Sequence, residues 1–265
     1  PLLEAAGAFA PRTPSGEPPI AVDVGCGTGL TLAHLRERAA PVGLDFSPLS
    51  MMYCRRRGVR NVARAEATAL PLRADAADLA LALDLLEHIA DDRAAYREIA
   101  RILRPGAVAI ITAPAHRYLW SEHDEALHHH RRYSRRSFQA LLGSQPLRVE
   151  RLTYAISFTY APIAVYRLLT RLLHALGPRR RPRTHVILLP LWMNRWLIGL
   201  LRLEARLLRR MNLPFGVSLI AVVRKPSPIP DTDAPLAPLL TPRRIGSQDS
   251  RAMPPEKEPA PRRSA

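Results

Sequence analysis

Three glycines at alternating positions, Gly25, Gly27 and Gly29, stand in the run VDVGCGTG from Val22 to Gly29, with an acid, Asp23, two residues ahead of the first. Glycine lets a backbone turn sharply and approach a ligand closely, where a Cβ would obstruct. Ile20 to Val24 reads as a short apolar strand and Leu30 to Arg38 as a helix. The glycines therefore fall on a strand-to-helix turn, where open α/β folds hold the charged part of a nucleoside cofactor. A nicotinamide fingerprint would read G-x-G-x-x-G, whereas here the third glycine arrives one residue early. Taken alone, the residues also fit a glycine turn that binds nothing. A second acid, Asp45, lies near the end of the apolar run VGLDFS, Val42 to Ser47, about 20 residues beyond the first glycine. From there a carboxylate can accept bonds from two ribose hydroxyls; capping the next helix is the alternative, a task that Ser47 before Pro48 also fits.

Groups able to move a proton cluster further on, in Pro114 to Phe138, PAHRYLWSEHDEALHHHRRYSRRSF. Loops at this place in an α/β sheet commonly carry function, which makes the segment the candidate for substrate selection. Histidine is the residue type suited to proton transfer near neutrality, which makes His129 the candidate, with Asp124 spaced to orient its ring; His123 and His88 are rivals, the latter just beyond the fourth strand. The competing reading has His129 clamp the loop through Asp124. Arg131, Arg132, Arg135 and Arg136 suit a phosphate or carboxylate of a substrate, or equally a solvated helix start. Consecutive histidines, His128 to His130, point in different directions, and no C-x-x-C or H-x-x-x-H pattern accompanies them, so no metal site is expected.

These residues need a frame. Asp78 to Asp84, DLALALD, reads as the strand of a fourth βαβ unit, and LLEHIADDRAAYREIARILRPGA as a helix that stops at Pro105 and Gly106. Ala107 to Thr112 supplies a fifth strand. The alternation gives an α/β, Rossmann-like, doubly wound fold. With this order in place, VDVGCGTG resembles motif I of the class I S-adenosylmethionine-dependent methyltransferases. AEATALPL, Ala65 to Leu72, resembles that family's G-D-A-x-x-L-P-F, with Ala65 for the glycine and Glu66 for the aspartate. LEH…REIARILRPG is similar to the branch called type 11, with Ala107 where a second glycine is usual. Pro114, Ala115, Leu119, Trp120, Ser121, Asp124, His129, Arg132 and Tyr133 match a subfamily pattern, P-A-x-x-x-L-W-S-x-x-D-x-x-x-x-H-x-R-R-Y, and Leu213 to Val223 resembles that subfamily's last strand.

The resemblance implies a mostly parallel seven-stranded sheet with an antiparallel edge strand, an inserted helical hairpin before the last strand, and S-adenosyl-L-methionine as cofactor. It implies Asp23, Gly25 and Gly27 around the methionine end, Asp45 at the ribose and Glu66 at the adenine, with Cys26, Gly29, Phe46, Ala67 and Asp84 completing the cofactor set. Methyl transfer is an in-line displacement at a sulfonium, so the protein aligns the acceptor and supplies a base where the acceptor must lose a proton. Asp84 is followed by Leu85 and Leu86, without the proline-proline-aromatic run of amino-directed DNA methylases, and no cysteine there suits C5 methylation of pyrimidines. A small-molecule or lipid-linked acceptor remains. The reading from another class is a membrane-associated binding or scaffolding protein that keeps the fold without turnover.

Of 265 residues, 47% are apolar, enough for one α/β domain with appendages. The net charge of +16 is concentrated: residues 1–150 are near balance, whereas residues 151–225 hold fourteen Arg or Lys against Glu204 alone. That segment is also strongly apolar. Arg167, Thr170, Arg171 and His174 make a polar stripe on a helix over Tyr160 to Leu176, and Arg195, Arg202, Arg206 and Arg209 mark a second over Ile187 to Arg210, with the basic turn Pro178 to Arg183 between. Three partners compete for this pair: an anionic membrane surface, the enzyme's own core or a second subunit in a homodimer, and nucleic acid. Nucleic acid is disfavoured because it leaves the apolar faces unexplained. Neither helix has the uninterrupted apolar length for a span.

The domains are thus 1–19 as helix and linker, 20–225 as methyltransferase domain with residues 160–210 inserted, and 226–265, with ten prolines, as a disordered tail. Residues 1–19 lack the basic start and apolar core of a targeting signal, and the chain begins at Pro1, so the initiator methionine was removed or the start is incomplete. Two cysteines suggest no disulfide framework and a reducing cytosol, with a peripheral position on the inner membrane face as the extension.

Overall fold

A computed structural model of the chain describes residues 7, 9, 16–175 and 190–227. Most of the expected N-terminal segment, the basic turn Pro178 to Arg183 and nearly all of the proline-rich tail lie outside the described residues.

Seven strands form one sheet in the order β3-β2-β1-β4-β5-β7-β6: β1 (Ile20–Val24), β2 (Ala40–Asp45), β3 (Val62–Arg64), β4 (Ala77–Leu83), β5 (Leu103–Pro114), β6 (Arg148–Ala155) and β7 (Ser218–Arg224). β1 to β5 pair in parallel, and β7 runs antiparallel to both β5 and β6. The antiparallel strand is therefore interior, and the edge expected to be antiparallel is β6. β1 and β4 are apolar runs buried on both faces, as central parallel strands require. Because β1 has β2 on one side and β4 on the other, the chain reverses direction of progression there, and a crevice opens beyond the carboxyl ends of these strands.

Helix α1 (Leu30–Leu35) follows β1, and α2 (Pro48–Arg56) follows β2 with Ser47 as its cap, the Ser47 hydroxyl accepting the Leu49 N–H at 3.3 Å and Pro48 at the first helical position. The expected helix after β4 is shorter at both ends. Asp84 adopts φ 49°, Leu86–His88 form a single 3-10 turn, and α3 (Asp92–Ile102) begins only at the cap Asp91, which accepts the Ala94 N–H at 2.9 Å. It stops at Ile102 because Pro105 disfavours helical backbone at Arg104 and Leu103 pairs with Ala77 in the sheet. α3 presents Ala95, Tyr96, Ile99 and Ile102 to the core, and Tyr96 donates to the Leu142 carbonyl, at the end of α5, at 3.1 Å.

Two short helices follow β5, α4 (Glu122–Ala126) and α5 (Arg135–Leu142). The expected helical pair is present as α6 (Tyr160–Ala175) and α7 (Leu191–Leu207), between β6 and β7. Glu204 fixes the far end of α7: its buried carboxylate accepts the N–H groups of Ile156 at 2.5 Å and Ser157 at 2.7 Å, just past β6. At the start of α6 the Tyr160 hydroxyl bonds that of Tyr118, and its ring lies 5.3 Å from His116 and 5.6 Å from Phe215; beyond these points the pair is largely uncovered. No side chain from Ala161 to Leu169 or from Leu191 to Leu203 is buried, and Trp192 and Trp196 are 69% and 62% exposed. Of the partners weighed for the pair, the enzyme's own core does not cover these side chains.

Candidate functional site

The glycine turn is built as its sequence predicts. Gly25, Gly27 and Gly29 all have positive φ, at 77°, 51° and 75°, a region in which a side chain is strained. At Gly25 space is also limiting, since a Cβ would lie 2.7 Å from Leu85 Cδ1. Nothing lies within 4 Å of a Cβ at Gly27, so there the backbone angle alone selects glycine. The Gly25 and Cys26 N–H groups donate to the Leu44 carbonyl at 2.7 and 3.1 Å, tying the turn to β2. Asp45 holds it from the other side: one carboxylate oxygen accepts the Gly27 N–H and the other the Ser47 N–H, each at 2.8 Å. Ser47, not Asp45, caps α2, so of the two tasks proposed for Asp45 the helix cap belongs to its neighbour.

Gly25, Asp45, Phe46, Glu66, Ala67 and His88 line a cavity of about 400 Å³ at the carboxyl ends of the central strands. Asp23, Cys26, Gly27, Gly29 and Asp84 are not among its lining residues. Asp23 is buried behind the turn, and burial, reinforced by the Asp45 carboxylate, pushes its carboxyl up to about 7. Asp84 is exposed, with its N–H and a carboxylate oxygen both on the Thr112 hydroxyl at 2.9 Å. Phe46 is 60% exposed, its ring covered by the Arg64 guanidinium at 4.9 Å. Glu66 is exposed at the cavity wall.

A second polar cluster stands beside this cavity. Asp124 is fully buried, yet bonds from Arg132, His129 and Ser121 outweigh burial and hold its carboxyl below the usual range. Arg132 Nε donates to it at 2.6 Å, the Ser121 N–H at 2.9 Å, and His129 Nδ1 lies 3.0 Å from the same oxygen as Arg132. The structure thus brings the expected pair Asp124 and His129 together while also using Asp124 as a loop anchor. His88 and His129 meet edge to face, ring centres 4.5 Å apart. Burial, then the neighbouring His129, lowers the His88 pKa, and its ring bonds the Leu127 backbone. His123 is exposed on α4, outside this cluster.

Sequence reasoning missed Glu87. Read as part of a helix, it lies instead in the 3-10 turn, 1% exposed, with Oε2 lacking any hydrogen-bond partner. Burial pushes its carboxyl up to about 8, with help from Asp84 and against a bond from its own amide. The signal available was an acid directly beside His88, immediately after a strand end. Two of the four arginines considered for substrate binding are engaged internally: Arg131 with Asp92 at 2.8 Å and the Ala90 carbonyl at 2.6 Å, Arg132 with Asp124. Arg135 and Arg136 are exposed on α5. A second cleft, about 650 Å³, is lined by Arg117, Trp120, His130, Arg131 and Tyr133 of the Pro114 to Phe138 segment, together with Asp92 and Arg93 of α3 and Ala140 and Leu141 of α5. Arg131 reaches from this cleft to Ala90, which lines the first cavity, so the 87–90 turn separates the two.

Residues 22–111 match the family model described as "Methyltransferase domain". Among curated relatives, a tRNA (carboxymethyluridine(34)-5-O)-methyltransferase of Macaca fascicularis is 33% identical over 120 residues, covering 44% of this chain and 17% of that protein. The norajmaline N-methyltransferase of Rauvolfia serpentina is 29% identical over 118 residues, covering 40% and 39%. The chain thus matches well under half of these relatives' length. Among solved structures, a putative sarcosine dimethylglycine methyltransferase from Galdieria sulphuraria superimposes with a TM-score of 0.54 at 16% identity, covering 85% of this chain and 83% of that one, a likeness of fold. With motif, strand order and family match in agreement, the chain carries a class I, type 11-like S-adenosylmethionine-dependent methyltransferase domain.

Proposed function

We propose that this methyltransferase acts on a small-molecule or lipid-linked acceptor, presented at an anionic membrane surface. The observation that carries the cofactor side is the cavity itself: Gly25, Asp45 and Glu66, expected from sequence to hold one ligand, share its wall. Its volume falls in the range typical of small-molecule sites. Asp45 Oδ1 and Oδ2 each accept one backbone N–H, and a carboxylate oxygen has a second lone pair, leaving one on each for a ribose hydroxyl. Glu66 would accept from the adenine amino group with Phe46 and Ala67 beside it, and Asp23, Gly25, Cys26, Gly27 and Gly29 would shape the methionine end, with Asp84 on the far side. The chemistry supplied by bound S-adenosylmethionine is a methyl group on a positively charged sulfur, open to in-line displacement.

The acceptor side falls to the segment that follows β5. His129, held by Asp124, keeps its other ring nitrogen free to take a proton from the acceptor, and His88 borders the cavity directly. The membrane reading rests on α6 and α7. Val165, Leu168, Leu169, Leu191, Trp192 and Trp196 are exposed beside exposed arginines at 195, 202 and 206, the composition of an interfacial helix. No helix among the described residues is long and apolar enough to cross a membrane. Isothermal titration of the full chain with S-adenosylmethionine tests the cofactor side: micromolar binding is expected, and none below about 1 mM would overturn it. Flotation with phosphatidylglycerol vesicles tests the surface, and a chain that stays in the pellet fraction equally with and without vesicles would remove it.

A further inference from the structure

We propose that Glu87, His88 and His129 form a binding site for a single divalent metal ion of the zinc or ferrous class. One ligand atom from each side chain lies within 4.8 Å of the others. Metal bonds of about 2.0–2.2 Å at tetrahedral angles bring ligand atoms to roughly 3.4 Å of one another, so a closure of at most about 1.4 Å per pair completes the site. Glu87 supplies the independent indication: its side chain belongs to the cluster, and its Oε2 is buried without a hydrogen-bond partner. A buried carboxylate oxygen without a partner is costly and uncommon, and a cation removes the cost.

The outer contacts fit as well. His129 has Nδ1 on the Asp124 carboxylate, which leaves Nε2 as a lone pair, and one nitrogen of His88 is engaged with the Leu127 backbone. Metal-bound histidines are characteristically held this way, the second nitrogen fixed on a carboxylate or carbonyl. Two imidazoles with one carboxylate select zinc or ferrous iron over magnesium or calcium, which prefer all-oxygen shells, and three protein ligands leave a position open beside the cavity that His88 lines. The neighbours in the His128 to His130 run take no part: the His130 N–H donates to the Glu87 carbonyl at 2.7 Å, while His128, at φ 57°, is exposed. Ligation and proton acceptance exclude each other at His129, so the ion would replace it as the group that activates the acceptor. The site itself requires no methyl transfer.

The test is calorimetric titration of the EDTA-treated full chain with Zn²⁺ alone, repeated with Co²⁺ while following its visible absorption. One equivalent is expected to bind, with the cobalt bands of nitrogen and oxygen ligands. His129→Ala and Glu87→Gln should weaken this by more than the roughly 10–100-fold that loss of an outer contact costs. His88→Ala, at an exposed position, should do the same and keeps the result readable if the buried variants fail to fold. A His128→Ala/His130→Ala double variant should bind normally. Binding no tighter than about millimolar, full retention in His88→Ala, or loss in the double variant would overturn the site. S-adenosylmethionine binding to the EDTA-treated chain separates this outcome from failure of the cofactor reading.

Discussion

In the parallel half of the sheet, polar groups are turned inward onto the backbone of the turn they shape: Asp45 grips Gly27 and Ser47, and Asp23 is buried behind them. In the helical pair the order is reversed. Tryptophans and leucines of α6 and α7 face outward, and the buried polar group Glu204 serves only to tether α7 to the end of β6. The first region shapes its turn from within, Asp45 bonding the backbone that forms it. The second has the makings of a face for something else. One domain therefore carries a crevice shaped from within and an outward-directed apolar side, and the two should respond to different perturbations.

The largest separation expected is in pH. A carboxyl whose folded pKa is raised from 3.8 to about 7 contributes stability that is full below the unfolded value and is lost as pH rises through the folded one. Between about pH 4 and pH 7 this amounts to on the order of 4 kcal/mol for Asp23. Thermal melts of Asp23→Asn should lack that slope; a variant that keeps it would move the titration elsewhere. Next, Asp45→Ala should weaken S-adenosylmethionine binding about 100-fold, the loss of roughly 3 kcal/mol from bonds to a charged acceptor, as read by calorimetry. Smaller, and confined to the other region, Trp192→Ser/Trp196→Ser should reduce partition onto anionic vesicles by about 30-fold, at roughly 1 kcal/mol per ring, while cofactor affinity stays within about twofold. A change in cofactor affinity would break the contrast. Glu204→Gln should cost about 1–3 kcal/mol in chemical denaturation, since an amide cannot accept both N–H groups.

The parallel half was legible because its signals are local. β1 occupies Ile20–Val24 as its apolar run predicts, and positive φ at Gly25, Gly27 and Gly29 follows from residue type and spacing. The helix after β4 was overextended because apolar periodicity runs on through Leu85 and Leu86, while the turn at Asp84 is imposed by pairing with Thr112 across the sheet. Arg131 and Arg132 read as free cations in sequence, yet their partners, Asp92, Ala90, Asp124 and Ala115, are 8 to 41 residues away, beyond any spacing rule. The interior position of β7 depends on where β6 settles, and Glu87 became visible only once burial and the approach of His129 were known.

One further consequence attaches to the contact between Cys26 and Cys54, whose sulfurs lie 3.8 Å apart under the glycine turn. Sulfonium compounds alkylate thiolates readily, so a cysteine in a turn that receives one is exposed to methylation by its own cofactor. Burial first, then Cys54 and the carboxylates of Asp23 and Asp45, raise the Cys26 pKa and keep its sulfur protonated, the form that does not attack. Burial of the turn thus also makes its own thiol inert, and the acids that organise the turn add to the effect.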